Sequence, residues 1–138
     1  MAVKIFQCKN KKLSGTDYHE VYLKAFAIYK KIKRKTKRRP YLRSTYFSKD
    51  KIFIDYFWDH LWQKNWRDRS RRMKFYPCAV ELLEKSRYEP VSKQNPNKPT
   101  EILHRFAGMT KEKELFFVQV KEDKKNDQKF FLSVFPEE

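Results

Sequence analysis

The fold is decided by ELFFVQVKEDKKNDQKFFLSVF, residues 114–135. Two segments rich in β-branched and aromatic residues, 114–122 and 129–135, flank a polar link of hairpin length. A third segment of this kind, ILHRFAG at 102–108, precedes them across another short polar link. We therefore predict that the C-terminal third forms an antiparallel meander of three strands.

Alternation along the last two strands predicts one apolar face and one mixed face. The apolar face is expected to pack against helices and combines Phe116, Val118, Val120, Phe130, Leu132 and Val134. The mixed face carries aromatic rings among polar and cationic groups: Leu115, Phe117, Gln119, Lys121, Lys129, Phe131, Ser133 and Phe135. His104 and Arg105 are adjacent in the first strand, so only one of them can join the mixed face directly.

Three helices are predicted ahead of these strands. Apolar residues recur at helical spacing over 18–32, and a second helix, with a wide apolar stripe from Phe53 to Trp62, is predicted to start near Asp50. A third helical segment covers roughly 67–85, where Pro77 predicts either a kink or two abutting helices. Residues 88–100 contain three prolines and no periodicity, so they are predicted to form a loop.

The net positive charge of the chain predicts a polyanionic partner. Its 138 residues include 33 Lys and Arg against 17 Asp and Glu, a net charge of +16. RNA, DNA, an anionic membrane or an acidic protein would each meet that need. No apolar run approaches the roughly 18 residues of a membrane span, and no signal peptide opens the chain, which disfavours a membrane partner.

The numbers of glycine, cysteine and acidic residues exclude several classes of protein. Two glycines are too few for glycine-rich phosphate loops, and two cysteines make neither a disulfide framework nor a metal site. Asp55 with Asp59, and Glu122 with Asp123, do not resemble a two-metal cluster, so we expect no metal and no cofactor. A reducing cytoplasm is the expected location.

The positive charge is concentrated near the N-terminus. Residues 1–48 hold fourteen cations against two acids, whereas residues 88–138 hold nine of each. We divide the chain into a basic arm and helix, 1–40, and a part with the other helices and the sheet, 41–138, both within one compact domain. The basic block 30–39 is interpreted as a stripe that binds the nucleic-acid backbone; the alternative is a solvated helix end.

Aromatics interleaved with cations on the mixed face are typical of a surface on which bases stack while charges hold phosphates. The alternative is a half-exposed sheet face with ordinary solvated lysines. The residues predicted to contact nucleic acid are Lys30, Lys31, Lys33, Arg34, Lys35, Lys37, Arg38, Arg39, Arg67, Arg71, Arg72, Gln119 and Phe131.

The same face has groups suited to cleaving RNA without a metal. Such a reaction needs a base for the 2′-hydroxyl, an acid for the departing 5′ oxygen and cations for the developing phosphorane charge. An imidazole can exchange protons near pH 7, and guanidinium and ammonium groups can hold the phosphate. The candidate catalytic residues are His104, Arg105, Lys121, Lys129 and Ser133. Taken by itself, His104 is more simply interpreted as a satisfied polar group at a strand end.

Residues 41–136 resemble the barnase–EndoU–colicin–RelE-like nuclease superfamily of phages and mobile elements. The stretches that carry the resemblance are YLRSTYFSKDK at 41–51, RDRSRRMKFYPCAVELL at 67–83, LHRFAG at 103–108 and FFVQVKEDKKNDQKFFLSVFP at 116–136. The resemblance implies metal-independent RNA cleavage of the toxin or effector type, with an acidic antitoxin or inhibitor as a further partner. It also implies a fourth strand, for which Val3–Phe6 or Ser44–Phe47 are the candidates.

The predicted fold is thus α+β, with three N-terminal helices packed on one face of a three- to four-stranded antiparallel sheet. The leading functional hypothesis is a metal-independent endoribonuclease acting by 2′-hydroxyl attack. Two alternatives stay open: a non-catalytic RNA- or DNA-binding module of a mobile element, and a basic effector that binds an acidic protein.

Overall fold

The computed structural model describes residues 4–137, which form four helices and seven strands. In chain order these are β1 (Phe6–Gln7), α1 (Tyr18–Arg34), β2 (Tyr41–Ser44), β3 (Asp50–Phe53), α2 (Tyr56–Leu61), α3 (Trp66–Met73), α4 (Tyr76–Lys85), β4 (Val91–Gln94), β5 (Glu101–Met109), β6 (Leu115–Asp123) and β7 (Gln128–Pro136). None of the helices in this part of the chain is both long and apolar enough to cross a bilayer.

The strands form one mixed sheet in the order β1-β5-β6-β7-β3-β2, and β4 pairs with β5 beside β1. Neighbouring strands are antiparallel except for two parallel pairs, β1 with β5 and β3 with β7. The protein is α+β, but the predicted arrangement of three helices on a three- to four-stranded antiparallel sheet is wrong. Only α1 precedes β2 and β3, and the other three helices follow these two strands.

The additional strands are short segments whose partners lie far away in sequence. Residues 50–53, predicted as the start of a helix, form β3 because Ile52 and Phe53 pair with Lys129 and Phe130 of β7. The predicted loop 88–100 contains β4, which pairs along the first half of β5. These strands depend on long-range pairing, which local periodicity does not reveal.

The two candidate fourth strands are each displaced. The structure has β1 at Phe6–Gln7, and Val3 lies outside the described residues. The other candidate, Ser44–Phe47, contributes only Ser44 to β2; a turn follows. Pro77 lies in the first turn of α4, so residues 67–85 form two abutting helices, one of the two predicted outcomes.

A β-bulge in β7 changes which residues face the core. Gln119 pairs with Ser133, but the next residue of β6, Val120, pairs with Phe131, so Leu132 is an extra residue. Phe131 and Val134 consequently lie on the buried side, each 0% exposed. The prediction that Phe130, Leu132 and Val134 share the apolar face is therefore wrong for Phe130, which pairs with Lys121 on the other side.

The core lies between this buried sheet face, the inner face, and the helices. Phe57 of α2 stacks on Phe131 with ring centroids 4.6 Å apart, and Tyr76 of α4 is 6.1 Å from the same ring. Phe116, as predicted, is completely buried on this face. α1 packs against α3 and α4, and its Val21 joins the same core.

Glu81 of α4 attaches the N-terminal segment to the helical layer. The residue is only 5% exposed, and its carboxylate accepts hydrogen bonds from the backbone N–H groups of Lys9 (2.8 Å) and Asn10 (3.0 Å). The Asn10 amide adds a third donor at 2.8 Å. A carboxylate with several donors is well suited to a buried position, because its lone pairs remain satisfied.

We expect Glu81→Gln to lower the free energy of unfolding by about 1–3 kcal/mol, since an amide NH₂ cannot accept from these N–H groups. Urea denaturation followed by circular dichroism measures the change. Glu84→Gln, an exposed site three residues later on α4, is the matched control and should stay within about 0.5 kcal/mol. Equal stability of the two variants would contradict the anchoring role of Glu81.

Candidate nucleic-acid interface

The sheet face opposite the core, the outer face, presents one continuous row of side chains across six strands. Successive cross-strand pairs link one residue of each strand from β2 to β4: Tyr41, Phe53, Phe130, Lys121, Leu103 and Lys93. At about 4.8 Å between strands, this row extends roughly 24 Å. Three aromatic side chains occupy the β2 end of the row, and the remainder consists of two lysines with Leu103 between them.

Cations lie over the rings of this row. The Arg39 guanidinium is 4.7 Å from the Phe53 centroid and 5.0 Å from that of Phe130. Lys121 Nζ is 5.3 Å from the ring centroid of Phe130 and 4.3 Å from that of Tyr56, the first residue of α2. Cation–π contacts of this kind hold positive charge close to a flat apolar surface.

Tyr41, at the edge of the sheet, is contacted in the same way. Lys51 Nζ lies 4.6 Å and the Arg43 guanidinium 5.3 Å from its ring centroid, and both cations are exposed. We refer to these residues together as the cation–aromatic array: Arg39, Tyr41, Arg43, Lys51, Phe53, Tyr56, Lys121 and Phe130. An array of this composition can stack bases and hold phosphates.

Ion pairs orient two of the cations in the array. Arg39 Nε donates to both carboxylate oxygens of Asp55 at 2.9 Å, which fixes the guanidinium plane above the rings. Lys121 Nζ is 3.5 Å from Glu101 Oε2, whose side chain is 8% exposed. Both cations are therefore held in place before any ligand binds.

The five candidate catalytic residues do not converge. Arg105 is exposed on the outer face, its guanidinium 5.4 Å from the Phe117 ring, and Lys121 is on the same face. Ser133 lies beside the bulge and is only 4% exposed. His104 and Lys129 lie on the inner face, so this set cannot form a single centre.

His104 is instead part of a polar cluster at one end of the inner face. Its Nε2 is 2.7 Å from Glu122 Oε1, and its Nδ1 is 2.7 Å from Ser92 Oγ. An ionised carboxylate can only accept, so Nε2 carries a proton and donates it to Glu122; in the neutral ring Nδ1 then accepts from the Ser92 hydroxyl. The imidazole therefore has both nitrogens occupied and is 7% exposed.

Lys129 extends this cluster to β3. Its Nζ is 3.0 Å from Asp50 Oδ2 and 4.0 Å from Glu122 Oε2, and its side chain is 4% exposed. The Phe47 ring covers both His104 and Lys129, with its centroid 5.1 Å from the imidazole centroid and from Nζ. The contacts of Lys129 hold β3, β6 and β7 together and leave its ammonium unavailable to a phosphate.

The predicted binding residues of the basic block are in suitable positions. Residues 30–38 expose all seven of their cations, and the chain then enters β2 so that Arg39 reaches the array. Gln119 is on the outer face between Arg105 and Ser133. Phe131 is the exception, because it is 0% exposed and stacked on Phe57, so it cannot contact a ligand.

The cations of α3 are partly neutralised. Arg71 and Arg72 bind Asp68 at 3.0 and 3.1 Å. Burial pushes the pKa of Asp68 upward, but the hydrogen bonds and charges of these two arginines outweigh burial and hold that pKa below its ordinary value. Arg67 lies 5.3 Å over the ring of Trp66, which is 59% exposed. Arg67, a predicted contact, therefore lies with the ring of Trp66 at a site that is open to a ligand.

The strands β2 and β3 and the side chain of His60 are not among the features predicted from the sequence. Alternation in YLRS and DKIF places Tyr41 with Arg43, and Lys51 with Phe53, on one face, but four-residue segments give a weak signal. His60 follows Tyr56 by four positions on α2 and so lies on the same side of that helix as the contact with Lys121. Burial, together with the positive charges of Lys64, Arg72 and Lys121, lowers the pKa of His60.

Comparison with known proteins finds no matching family model, no significantly similar curated protein and no significantly similar solved structure. The resemblance to the nuclease superfamily therefore stays a prediction from the residues. The fold and the surface define an α+β protein with a mixed seven-stranded sheet and a basic, aromatic outer face. Within residues 4–137, no three His, Cys, Asp or Glu side chains are grouped to hold a metal ion.

We expect His104 to carry its proton on Nε2 in the native protein, because the Glu122 carboxylate accepts only at that nitrogen. Long-range ¹⁵N–¹H correlation spectra of ¹⁵N-labelled protein distinguish the two tautomers. Glu122→Ala should give a mixture of both forms, whereas Asp123→Ala, at the neighbouring acid, should leave the Nε2–H form intact. A proton on Nδ1 in the native protein would contradict the arrangement.

Proposed function

We propose that this protein binds RNA through the outer face of its sheet. The observation that carries the proposal is the cation–aromatic array, in which positively charged groups lie within 4.3–5.3 Å of four aromatic rings on one surface. Rings with adjacent cations suit a ligand that is both flat and anionic, which describes a nucleotide better than an acidic peptide.

RNA is favoured over duplex DNA by the shape of the surface. Sequence in duplex DNA is read by a helix or ribbon that protrudes into a groove, whereas a broad sheet face suits bases that are already unpaired. The exposed cations of residues 30–38 lead directly into the array at Arg39 and supply sequence-independent attraction for the backbone. We place this interaction in the cytoplasm, where the two free thiols, Cys8 and Cys78, stay reduced.

Arg43→Gln is expected to weaken RNA binding and to reduce the slope of log K against log salt by about 0.7, because one phosphate contact is lost. Fluorescence anisotropy with labelled RNA over a salt series measures both quantities. Lys125→Gln, an exposed cation of the β6–β7 turn, removes the same charge away from the array and should leave the slope unchanged.

The ring contribution is tested at constant charge. Tyr41→Leu should weaken RNA binding about fivefold or more, since stacking contributes at least about 1 kcal/mol per base. Binding of polyglutamate, which has no rings to stack, should not change. Equal loss for both ligands, or no loss for either, would contradict RNA recognition by the array and would favour an acidic protein partner.

RNA cleavage without a metal is the second candidate function, and one observation favours it. His60 has a lowered pKa and is on the side of α2 that meets Lys121, so a neutral imidazole and an ammonium group adjoin the proposed RNA surface. A neutral imidazole can take the proton of a 2′-hydroxyl, and an ammonium can stabilise the phosphorane. This arrangement replaces the predicted base, His104, whose nitrogens are both occupied.

If the protein is a nuclease, labelled RNA incubated with it in EDTA yields ends with a 2′,3′-cyclic phosphate. His60→Gln should lower the rate at least about 100-fold with RNA binding retained, and His19→Gln, an exposed site on α1, should not. Because the pKa of His60 is lowered from 6.5, cleavage should persist below pH 6.5 until the imidazole is protonated. RNA that remains intact at stoichiometric protein would refute the second candidate and leave the binding proposal standing.

A further inference from the structure

We propose that two adjacent cavities on the outer face each receive an unpaired base, so that the substrate class is single-stranded RNA; this rests on the proposed function. The first cavity, about 210 Å³, is lined by Ile5, Val91, Arg105, Ala107, Leu115 and Phe117. The second, about 290 Å³, is lined by Val91, Lys93, Leu103, Arg105, Gln119 and Phe135. Val91 and Arg105 line both, so these two residues separate one cavity from the other.

The cavities arise from the way two strands share one edge of β5. β4 pairs with β5 only over 102–105, and β1 pairs with it only at Gly108 and Met109. On this edge, therefore, no strand in the described part of the chain pairs with β5 at positions 106 and 107. Ala107 is a small floor at this gap, and the first cavity opens above it.

The lining of the first cavity suits a flat apolar group. The Phe117 ring and the Ala107 and Leu115 side chains form its apolar surface, and the Arg105 guanidinium is 5.4 Å from the Phe117 centroid. Val91 is 45% exposed although it is apolar, so its side chain is available to a ligand. A base inserted here could stack on the ring of Phe117.

The second cavity has polar groups as well as an aromatic wall. Gln119 offers both a donor and an acceptor for a base edge, Lys93 adds a cation, and Phe135 supplies a ring. Arg105 lies between the two cavities, where its guanidinium can contact the phosphate that joins two consecutive nucleotides. Two cavities with aromatic walls, separated by a cation, match a strand whose flat bases can stack and whose linkage is anionic.

A duplex is excluded from this arrangement because its bases are stacked and paired and cannot enter the cavities without being flipped out. An apolar peptide could fill the cavities, but it would gain nothing from Arg105 and Lys93. The charge of the lining therefore favours nucleotides.

The test compares a short single-stranded RNA with its duplex, using the full chain and fluorescence anisotropy. We expect the single strand to bind at least about tenfold more tightly than the duplex. Phe117→Leu should weaken single-strand binding about fivefold or more, from the loss of stacking, and should leave duplex binding unchanged. Arg105→Gln should weaken single-strand binding as well, whereas Arg87→Gln, an exposed arginine after α4, should not.

The outcomes separate this inference from the proposed function. If neither RNA form binds, the proposed function fails. Equal affinity for both forms, or single-strand binding unaffected by Phe117→Leu and Arg105→Gln, would overturn the inference while RNA binding stands. The ring centroids of Phe117 and Phe135 are 5.7 Å apart, so thermal unfolding is used to show whether Phe117→Leu is folded. Arg105→Gln tests the same cavities without removing a ring.

Discussion

The bulge at Leu132 is the constraint on which the outer face depends. Phe130 and Phe135 are five positions apart in one strand, so in a regular strand they would point to opposite faces. The extra residue inverts the alternation, and both rings then lie on the outer face while Phe131 and Val134 enter the core. Phe130 belongs to the cation–aromatic array and Phe135 to the second cavity, so the two halves of the proposed RNA surface are joined through this irregularity.

The polar cluster on the inner face fixes the position of β3 beside β7, the strand that contains the bulge. Lys129 is the residue through which β7 reaches Asp50 of β3, and Glu122 connects it to His104 of β5. A buried ammonium is stabilised by neighbouring carboxylates, which here are Asp50 at the start of β3 and Glu122 near the end of β6. The cluster therefore holds β3 in register with β7, and this register carries Phe53 to the position beside Phe130. His104, one of the predicted catalytic residues, thus stabilises the sheet from its inner face and does not form part of the outer face.

In the proposed binding mode, attraction and recognition are carried by different parts of the chain. Residues 30–38 supply exposed charge that any polyanion would satisfy, whereas the sheet has nearly balanced charge and supplies rings and shaped cavities. Charge contacts give salt-dependent, sequence-independent binding, and stacking in cavities distinguishes unpaired from paired bases. Arg39 lies where these two parts meet, since it ends the basic block and caps the first rings of the array.

The sequence by itself determined the net charge of +16, the first helix, the strands β5 to β7 and the burial of Phe116, Val118 and Val120, because composition and alternation are local properties. It also showed that His104 and Arg105 must point to opposite faces. Only the tertiary structure decided which side chains lie on the outer face of the sheet, and that β2, β3 and β4 are strands. It also decided that Phe131 is buried and that the candidate catalytic residues are divided. These features depend on which distant segments pair and in what register, and one inserted residue in β7 changes the face of every side chain beyond it.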